Sequence, residues 1–215
     1  MTECKQVITD VEKLYEWSTE MDPRKEGKEL QKIILEIKET MRANNLEYLT
    51  APQIGYNKRV FCIRFGNNDY RTFVNPVITQ TKAFQFARET CNSIPEKTFI
   101  MPRFGNIEVI YVTPLGKVES RRIVGRSAVV FNHCLDHLNG LLVSDIGLEI
   151  DEMFDNATDD ERAEVLKMYA ESLDLRQKQL QEEIEADKDL SDLSDAVDFM
   201  SSVTRGDTML ATPED

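Results

Sequence analysis

The sequence of 215 residues predicts an α+β fold with mostly antiparallel strands. Three observations favour this class. An early stretch has the three- and four-residue apolar repeat of an amphipathic helix. Several short segments rich in β-forming residues follow it and are separated by turn residues. After the last of these segments, a second helix carries both histidines of the chain.

Two helices are predicted before the strands. The first is short and runs roughly from Val7 to Trp17. The second, from Gly27 to Asn44, places its apolar residues on one face, as a buried helix requires: Leu30, Ile33, Ile34, Ile37 and Met41. We expect it to end at Asn44, since asparagine tolerates the left-handed conformation.

Five strands are predicted from runs of β-forming residues: Arg59–Phe65, Arg71–Ile78, Lys97–Met101, Ile107–Thr113 and Val118–Val124. A turn at Gly66–Asp69 separates the first two, and one at Pro114–Lys117 joins the last two. Pro76 predicts an edge or a bend in its strand, because proline lacks the amide hydrogen that a central strand needs.

The helix after the strands carries the residues that point most directly to a function. It begins near Arg126, ends at Gly140, and carries His133 and His137 four residues apart. On a helix this spacing places both imidazoles on one face, where they can hold one metal ion. Cys91, in a stretch that we expect to be a loop because of Pro95, is the candidate third ligand. Three ligands leave one tetrahedral position open, as in catalytic sites; the alternative is two ordinary histidines that happen to align.

Three motifs carry a family resemblance: Leu46–Gln53, Glu89–Ser93 and Asn132–Gly140. In this order they resemble the motifs of the peptide deformylases, metalloenzymes that remove the N-formyl group from nascent chains. The resemblance covers about residues 24–147. It implies antiparallel strands packed around a central metal-binding helix, and an extra C-terminal segment beyond the family core.

The resemblance also implies roles for residues of this chain. Cys91, His133 and His137 would bind a divalent metal, Fe²⁺ or Zn²⁺, with Ni²⁺ or Co²⁺ as substitutes and an empty site as the alternative. The metal would activate the water that attacks the formyl carbon. The other implied roles belong to Gln53 and the backbone of Asn92, as donors to the formyl oxygen, and to Leu46 and Tyr48, which lie against the substrate.

Several positions depart from the family pattern. Cys134 stands where the family has its catalytic glutamate, and Leu46 and Tyr48 stand where it has glycines. Cys134 remains a catalytic candidate as a proton shuttle, and a fourth metal ligand is the other alternative. Adjacent helical residues point about 100° apart, so joint ligation is awkward and we expect a vacant base position. Asp136 is predicted to support the site or to pair with Arg121 or Arg126.

Charge divides the chain in two. Residues 149–215 hold 21 acidic and 6 basic side chains, a net charge of −15. Residues 1–148 hold 18 acidic and 20 basic side chains, a net charge of +2. We predict a deformylase-like domain at 1–148 and an acidic, mostly helical extension at 149–215, with helices at 159–188 and 189–203. The extension is either a solvated tail or a docking element for a basic partner. The negative charge of the extension argues against direct binding to nucleic acids, which are also negatively charged.

The remaining features concern location. No apolar run is long enough to span a membrane, and the N-terminus lacks the layout of a secretory signal. We therefore expect an intracellular, cytoplasmic protein whose four cysteines are thiols.

Three functional hypotheses follow. The first is a deformylase-like metal-binding protein with weak or lost hydrolase activity, repurposed for interaction or assembly through its acidic extension. Because deformylase-like genes occur in bacteriophages, a virion-associated role is included. The second is an active, divergent deformylase that acts on formylated nascent peptides. The third is a different metal-dependent amidase on the same fold.

Overall fold

The structure is a computed structural model that describes residues 4–66 and 69–186. Its α-helices are α1 (Gly27–Ala43), α2 (Arg126–Leu138), α3 (Val143–Ile146), α4 (Glu152–Asn156) and α5 (Asp159–Ala186). Its strands are β1 (Tyr48–Thr50), β2 (Val60–Arg64), β3 (Tyr70–Cys91), β4 (Ile94–Val112), β5 (Val118–Val124) and β6 (Leu148–Ile150). The helix predicted at 189–203 lies outside the described residues. Within them, no helix is long and apolar enough to cross a membrane.

The six strands of the described residues join one antiparallel sheet. Its order is β1-β2-β3-β4-β5, and β6 pairs with β4 beside this path. The α+β class predicted from the sequence is confirmed. The centre of the sheet is the hairpin of β3 and β4, which are 22 and 19 residues long.

The long hairpin corrects three strand predictions. β3 does not end at Ile78, the segments Lys97–Met101 and Ile107–Thr113 are one strand, and Cys91 is the last residue of β3 rather than part of a loop. Register shifts next to Pro76 and Pro95 explain how the strands accommodate these two prolines: the ladder slips between Val74 and Val77, and again between Thr90 and Cys91. Residues bulged out of the ladder do not need an amide donor.

Two apolar clusters cover opposite faces of β2. Val60 and Cys62 face α1, whose buried apolar residues are Leu30, Ile33, Ile37 and Met41. Phe61 and Ile63 face α2, and the Phe61 and Phe131 rings meet edge to face at 5.0 Å. This alternation is the two-residue period of a strand buried on both sides. The sheet therefore holds α2, with its two histidines, against the interior.

The N-terminal segment differs from its prediction. The expected helix at Val7–Trp17 is a single 3₁₀ turn at Val11–Leu14. The amide of Ile8 donates to the Gln53 carbonyl and that of Ser18 to the Leu138 carbonyl, both at 2.9 Å. Because other segments satisfy these backbone groups, the flanking chain stays extended instead of closing into a helix.

The described part of the acidic segment contacts the sheet. Thr158 and Glu161 cap the start of α5 reciprocally, since each side chain accepts a hydrogen bond from the backbone amide of the other. Tyr169 and Leu173 pack with Ile100 and Ile150, and the Tyr169 hydroxyl donates to the Ile146 carbonyl at 2.7 Å. The domain boundary after residue 148 stays a prediction.

Gly140 follows the end of α2 in a left-handed backbone conformation that residues with a Cβ atom avoid. Its φ is +67°, and a Cβ atom there would collide with the backbone carbonyl of Tyr15. We expect Gly140→Ala to lower the free energy of unfolding by about 2–3 kcal/mol, measured by chemical denaturation. The control is Gly27→Ala, where a Cβ has open space at the start of α1 and alanine should be neutral or slightly stabilising. Equal unfolding midpoints for the two variants would contradict this account of the turn.

Candidate metal centre

Cys91, His133 and His137 converge in the interior. One ligand atom from each lies within 4.8 Å of those of the other two, and the three residues are 1–3% exposed. Cys91 Sγ is 3.3 Å from His137 Nε2. The end of β3 supplies the sulfur and one face of α2 supplies both imidazoles, as the four-residue spacing predicts.

A buried carboxylate orients the first imidazole. Glu89 Oε2 lies 2.7 Å from His133 Nδ1, so this nitrogen carries a proton and donates it to Glu89. His133 Nε2 is then the nitrogen available to a metal, an arrangement common among histidine ligands. Glu89 and Cys91 are two residues apart on β3, which places both side chains on the same face of the strand.

Arg103 on β4 neutralises this carboxylate and a second one. Its Nε donates to Glu89 Oε1 at 2.5 Å, and a terminal nitrogen lies 2.7 Å from Asp136 Oδ2. The second contact is off the N–H direction, so it is a charge contact rather than an aligned hydrogen bond. All three side chains are 3–7% exposed. Asp136 thus pairs with an arginine, as the second of the two predicted alternatives has it, but the partner is Arg103. Arg126 pairs with Glu47, and Arg121 lies over the Phe65 ring.

The contacts also set the ionisation of the site. Burial raises the pKa of the Cys91 thiol, but hydrogen bonds with His133 and His137 outweigh burial and lower that pKa to about 5. Burial raises the pKa of the Glu89 carboxyl, but the charge of Arg103 and the hydrogen bond from His133 outweigh burial and lower that pKa to about 2. Cys91 is thus a thiolate at neutral pH, which is the form that binds metals.

Tyr48 completes the immediate surroundings. Its hydroxyl lies 2.8 Å from His133 Nε2 and donates to the Thr90 carbonyl at 3.1 Å. Its ring packs on the His133 ring with centroids 4.7 Å apart. Tyr48 was predicted to lie against the substrate, and the contact of its hydroxyl with a ligand nitrogen was not predicted.

The other predicted site residues divide into two groups. Asn92 is in the turn after Cys91, and Gln53 contacts that turn from a 3₁₀ turn at Pro52–Ile54, where its amide donates to Ser93 Oγ at 3.1 Å. Leu46 and Cys134 lie in apolar clusters instead, Leu46 beside α1 and Cys134 fully buried among the residues around Phe131. Burial raises the pKa of the Cys134 thiol well above its ordinary value. The catalytic and substrate-binding roles of these four residues stay predictions.

Two residues of the site, Glu89 and Arg103, were not predicted to have a role there. Glu89 was part of a motif but had no role, although its two-residue spacing from Cys91 was a usable signal. Arg103 lies in a run of mostly apolar residues, Phe99–Gly105, where a charged side chain must find a partner. Its pairing with Glu89 and Asp136 depends on the register of the hairpin, which the sequence does not show.

The donor set fits a divalent transition metal. One thiolate and two imidazoles are ligands that Zn²⁺ and Fe²⁺ accept, and the three ligand atoms lie within 4.8 Å of one another on one side of α2 and the end of β3. The orientation of His133 by Glu89 supplies the outer support that such sites use.

Comparison with known proteins agrees with this geometry. The family described as polypeptide deformylase matches residues 5–150. A relative named peptide deformylase from Symbiobacterium thermophilum is 28% identical over 144 residues, 66% of this chain and 66% of that protein. One from Thermotoga maritima is 35% identical over 117 residues, 54% of this chain and 71% of that protein. The chain therefore spans about two thirds of the length of these relatives.

Solved structures give the same result for the fold. The crystal structure of peptide deformylase from Thermotoga maritima superposes with a TM-score of 0.62 and 30% identity, covering 66% of this chain and 97% of that one. A class I type b peptide deformylase from Acinetobacter baumannii, bound to Met-Ala-Ser, gives a TM-score of 0.63 at 23% identity, covering 67% and 99%. At that identity the second likeness concerns the fold alone.

Glu89 offers a direct test of the buried network. Glu89→Gln leaves Arg103 with one charged partner, and we expect it to reduce the free energy of unfolding by about 3–5 kcal/mol. The matched control is Glu149→Gln, which removes the carboxylate of an exposed pair with Lys97 and should cost at most about 1 kcal/mol. Urea unfolding of the three proteins measures both changes. If the two variants were equally stable, Glu89 would not be the partner on which Arg103 depends.

Proposed function

This chain belongs to the polypeptide deformylase family, and on that premise we propose that it binds a divalent metal but has weak or lost hydrolase activity. The metal would be Fe²⁺ or Zn²⁺, or Ni²⁺ or Co²⁺ in their place, held by Cys91, His133 and His137. When bound, it would act as a Lewis acid toward a carbonyl group and toward water.

The state of Cys134 carries this proposal. The residue after the first histidine is where the family resemblance places the group that transfers protons. Here that residue is a thiol that is 0% exposed, lies in an apolar cluster, and has its pKa raised by burial. A group that neither contacts solvent nor ionises near neutral pH is a poor general base. Loss of such a group typically lowers a rate by about 10²–10⁴-fold.

The remaining residues would act by holding and orienting. Glu89 fixes the His133 ring through Nδ1, and Arg103 keeps Glu89 charged. Gln53 has one amide hydrogen bonded to Ser93, and its second hydrogen would serve as the donor to a formyl oxygen. The backbone amide of Asn92 would be the other donor. Leu46 and Tyr48 would restrict the approach of a peptide.

We further propose that the acidic segment docks on a basic partner surface, in an interaction or assembly role inside the cell. α5 holds nine acidic and four basic residues, and it exposes Met168 and Leu175 at 64% and 58%. Charges around exposed apolar side chains suit a complementary surface. A role in a phage virion is one form of this proposal.

The second candidate is an active, divergent deformylase that removes the formyl group from N-formylmethionyl peptides. The intact set of three ligands favours it, together with the position of Gln53 beside the Cys91 turn. In that case Cys134 or solvent would transfer the proton. The two candidates differ in turnover rather than in metal binding.

Metal binding is tested first. The natural chain should bind one Zn²⁺ or Co²⁺, and Cys91→Ala should weaken binding by more than the roughly 10–100-fold that the loss of a supporting residue costs. Cys62→Ala is the control, since Cys62 is also a buried thiol but forms a hydrogen bond with Thr72. Competition with a chromogenic chelator gives the dissociation constants. Equal binding by the natural chain and Cys91→Ala would place the metal elsewhere.

Turnover is tested with the same metal-loaded protein. We expect kcat/KM for formyl-Met peptides at least about 10²-fold below that of the Thermotoga maritima relative. Cys134→Glu should raise the rate in part, because Leu46 and Tyr48 remain, whereas Cys134→Ala should leave it unchanged. A fast natural chain and an inactive Cys134→Ala would instead show that Cys134 transfers protons, and the second candidate would replace the first.

A further inference from the structure

We propose that α5 positions Cys91, the candidate thiolate ligand, by holding the short helix α3 in place beside it. The positioning residues are Tyr169 and Arg176, which act through α3 rather than on the ligands. This inference deepens the proposed function and rests on it in one respect, since Cys91 must be a ligand for its position to matter to a metal. It also gives the described part of the acidic segment a role inside the chain itself.

The first step is the face that α5 turns to the sheet. Its less exposed side chains recur every three or four residues, as the buried face of a helix requires: Leu166, Tyr169, Leu173 and Gln177. Tyr169 and Leu173 are 8% and 7% exposed, and the Tyr169 ring packs on the Phe86 ring with centroids 5.7 Å apart. Met168 lies on the other face and is 64% exposed. The contact of α5 with the domain and its surface for a partner are therefore on different faces.

The second step is a pair of hydrogen bonds from α5 to the end of α3. The Tyr169 hydroxyl donates to the Ile146 carbonyl at 2.7 Å, and Arg176 Nη1 donates to the Asp145 carbonyl at 2.9 Å. The last carbonyls of a helix have no partner within that helix, and α3 has only four residues. At the start of α3, the Asp145 carboxylate accepts from the Leu142 amide at 2.7 Å. The chain thus holds the start of α3 locally, and α5 supplies the donors at its end.

The third step connects α3 to the thiol. Val143 of α3 is buried in the same apolar cluster as Cys91, and Ile146 packs against that cluster. Ile146 also packs against the cluster that contains Tyr169 and Leu173, so this one side chain links α5 to the surroundings of Cys91. Cys91 is 3% exposed. While α3 keeps its place, the thiol stays covered and its sulfur stays next to the imidazoles.

The packing between α3 and the strands is close enough to transmit a shift. A Cβ atom on Gly147, the residue after α3, would lie 2.6 Å from Met101 Sδ and 3.0 Å from Phe99 Cβ, and both of these residues belong to the Cys91 cluster. Interiors packed at this density have few voids into which a side chain can yield. A helix of a single turn has little stability of its own. The two hydrogen bonds from α5 therefore govern how often α3 leaves this position.

The experiment labels the full chain, without added metal, with iodoacetamide and follows each cysteine by peptide mass spectrometry. The variant combines Tyr169→Phe with Arg176→Met, which removes both donors and keeps the ring and the stem of the side chains. Labelling of Cys91 should become about 5–100-fold faster, because it requires a local opening that two hydrogen bonds oppose. Cys62, a buried thiol in the cluster beside α1, should keep its rate. The Co²⁺-loaded variant should also release its ion to a chelator faster.

The matched control is Met168→Ala, which changes the neighbour of Tyr169 on the exposed face of α5 and should alter neither labelling nor Co²⁺ release. If Cys91 and Cys62 were labelled faster together, α5 would support the whole domain and the inference would be wrong. Unchanged labelling of Cys91 would overturn it too. Faster labelling with unchanged Co²⁺ release would show that α5 covers Cys91 without positioning it.

The labelling also separates this inference from the proposed function, since it needs no metal. If Cys91 alone is labelled faster but the natural chain binds no Co²⁺, the proposed function fails, while the control of the Cys91 thiol by α5 stands. Should the double variant not fold, Tyr169→Phe decides alone, with an expected rise of about 2–10-fold in the labelling of Cys91. No rise in that variant contradicts the inference.

Discussion

The charge of Arg103 between two buried carboxylates is the interaction on which the rest of the site depends. A guanidinium without partners in the interior would cost several kcal/mol, and the same holds for Glu89 and Asp136. The three groups come from β4, β3 and α2, so they are satisfied together only when the hairpin and the helix have one relative position. That relative position also sets the orientation of the His133 ring, because Glu89 is hydrogen-bonded to His133 Nδ1. Electrostatics inside the domain thereby fix the geometry of its ligands.

Much of the fold was predictable from local patterns, and the failures share a cause. The repeat of Leu30, Ile33 and Ile37 predicts α1, and the course of α2 to Gly140 is confirmed, because one buried face imposes a strong periodicity. The β3–β4 hairpin was predicted as shorter pieces: the strand from Arg71 was ended at Ile78, and Pro95 led to the expectation of a loop at Cys91. Bulges remove the need for an amide at such points, and whether a bulge forms depends on the partner strand.

The candidate site shows the same division. Cys91, His133 and His137 could be found because their residue types and spacing are rare, and the structure brings them together. Arg103 and the hydroxyl of Tyr48 could not, since each acts through a contact with a residue far away in the sequence. A sequence shows that a buried charge or hydroxyl needs a partner, but the register of strands decides which one it obtains.

The site is assembled from distant parts of the chain, and this has a consequence for its synthesis. Tyr48 and His133 are separated by 85 residues, and Cys91 and His137 by 46. Contacts of such separation form late, because long loops must close first. A chain made from its N-terminus presents the thiol of Cys91 well before either imidazole has been synthesised. Capture of a metal by the complete ligand set would therefore mark the moment at which hairpin and helix have docked, and its binding energy would add to the stability of that last step.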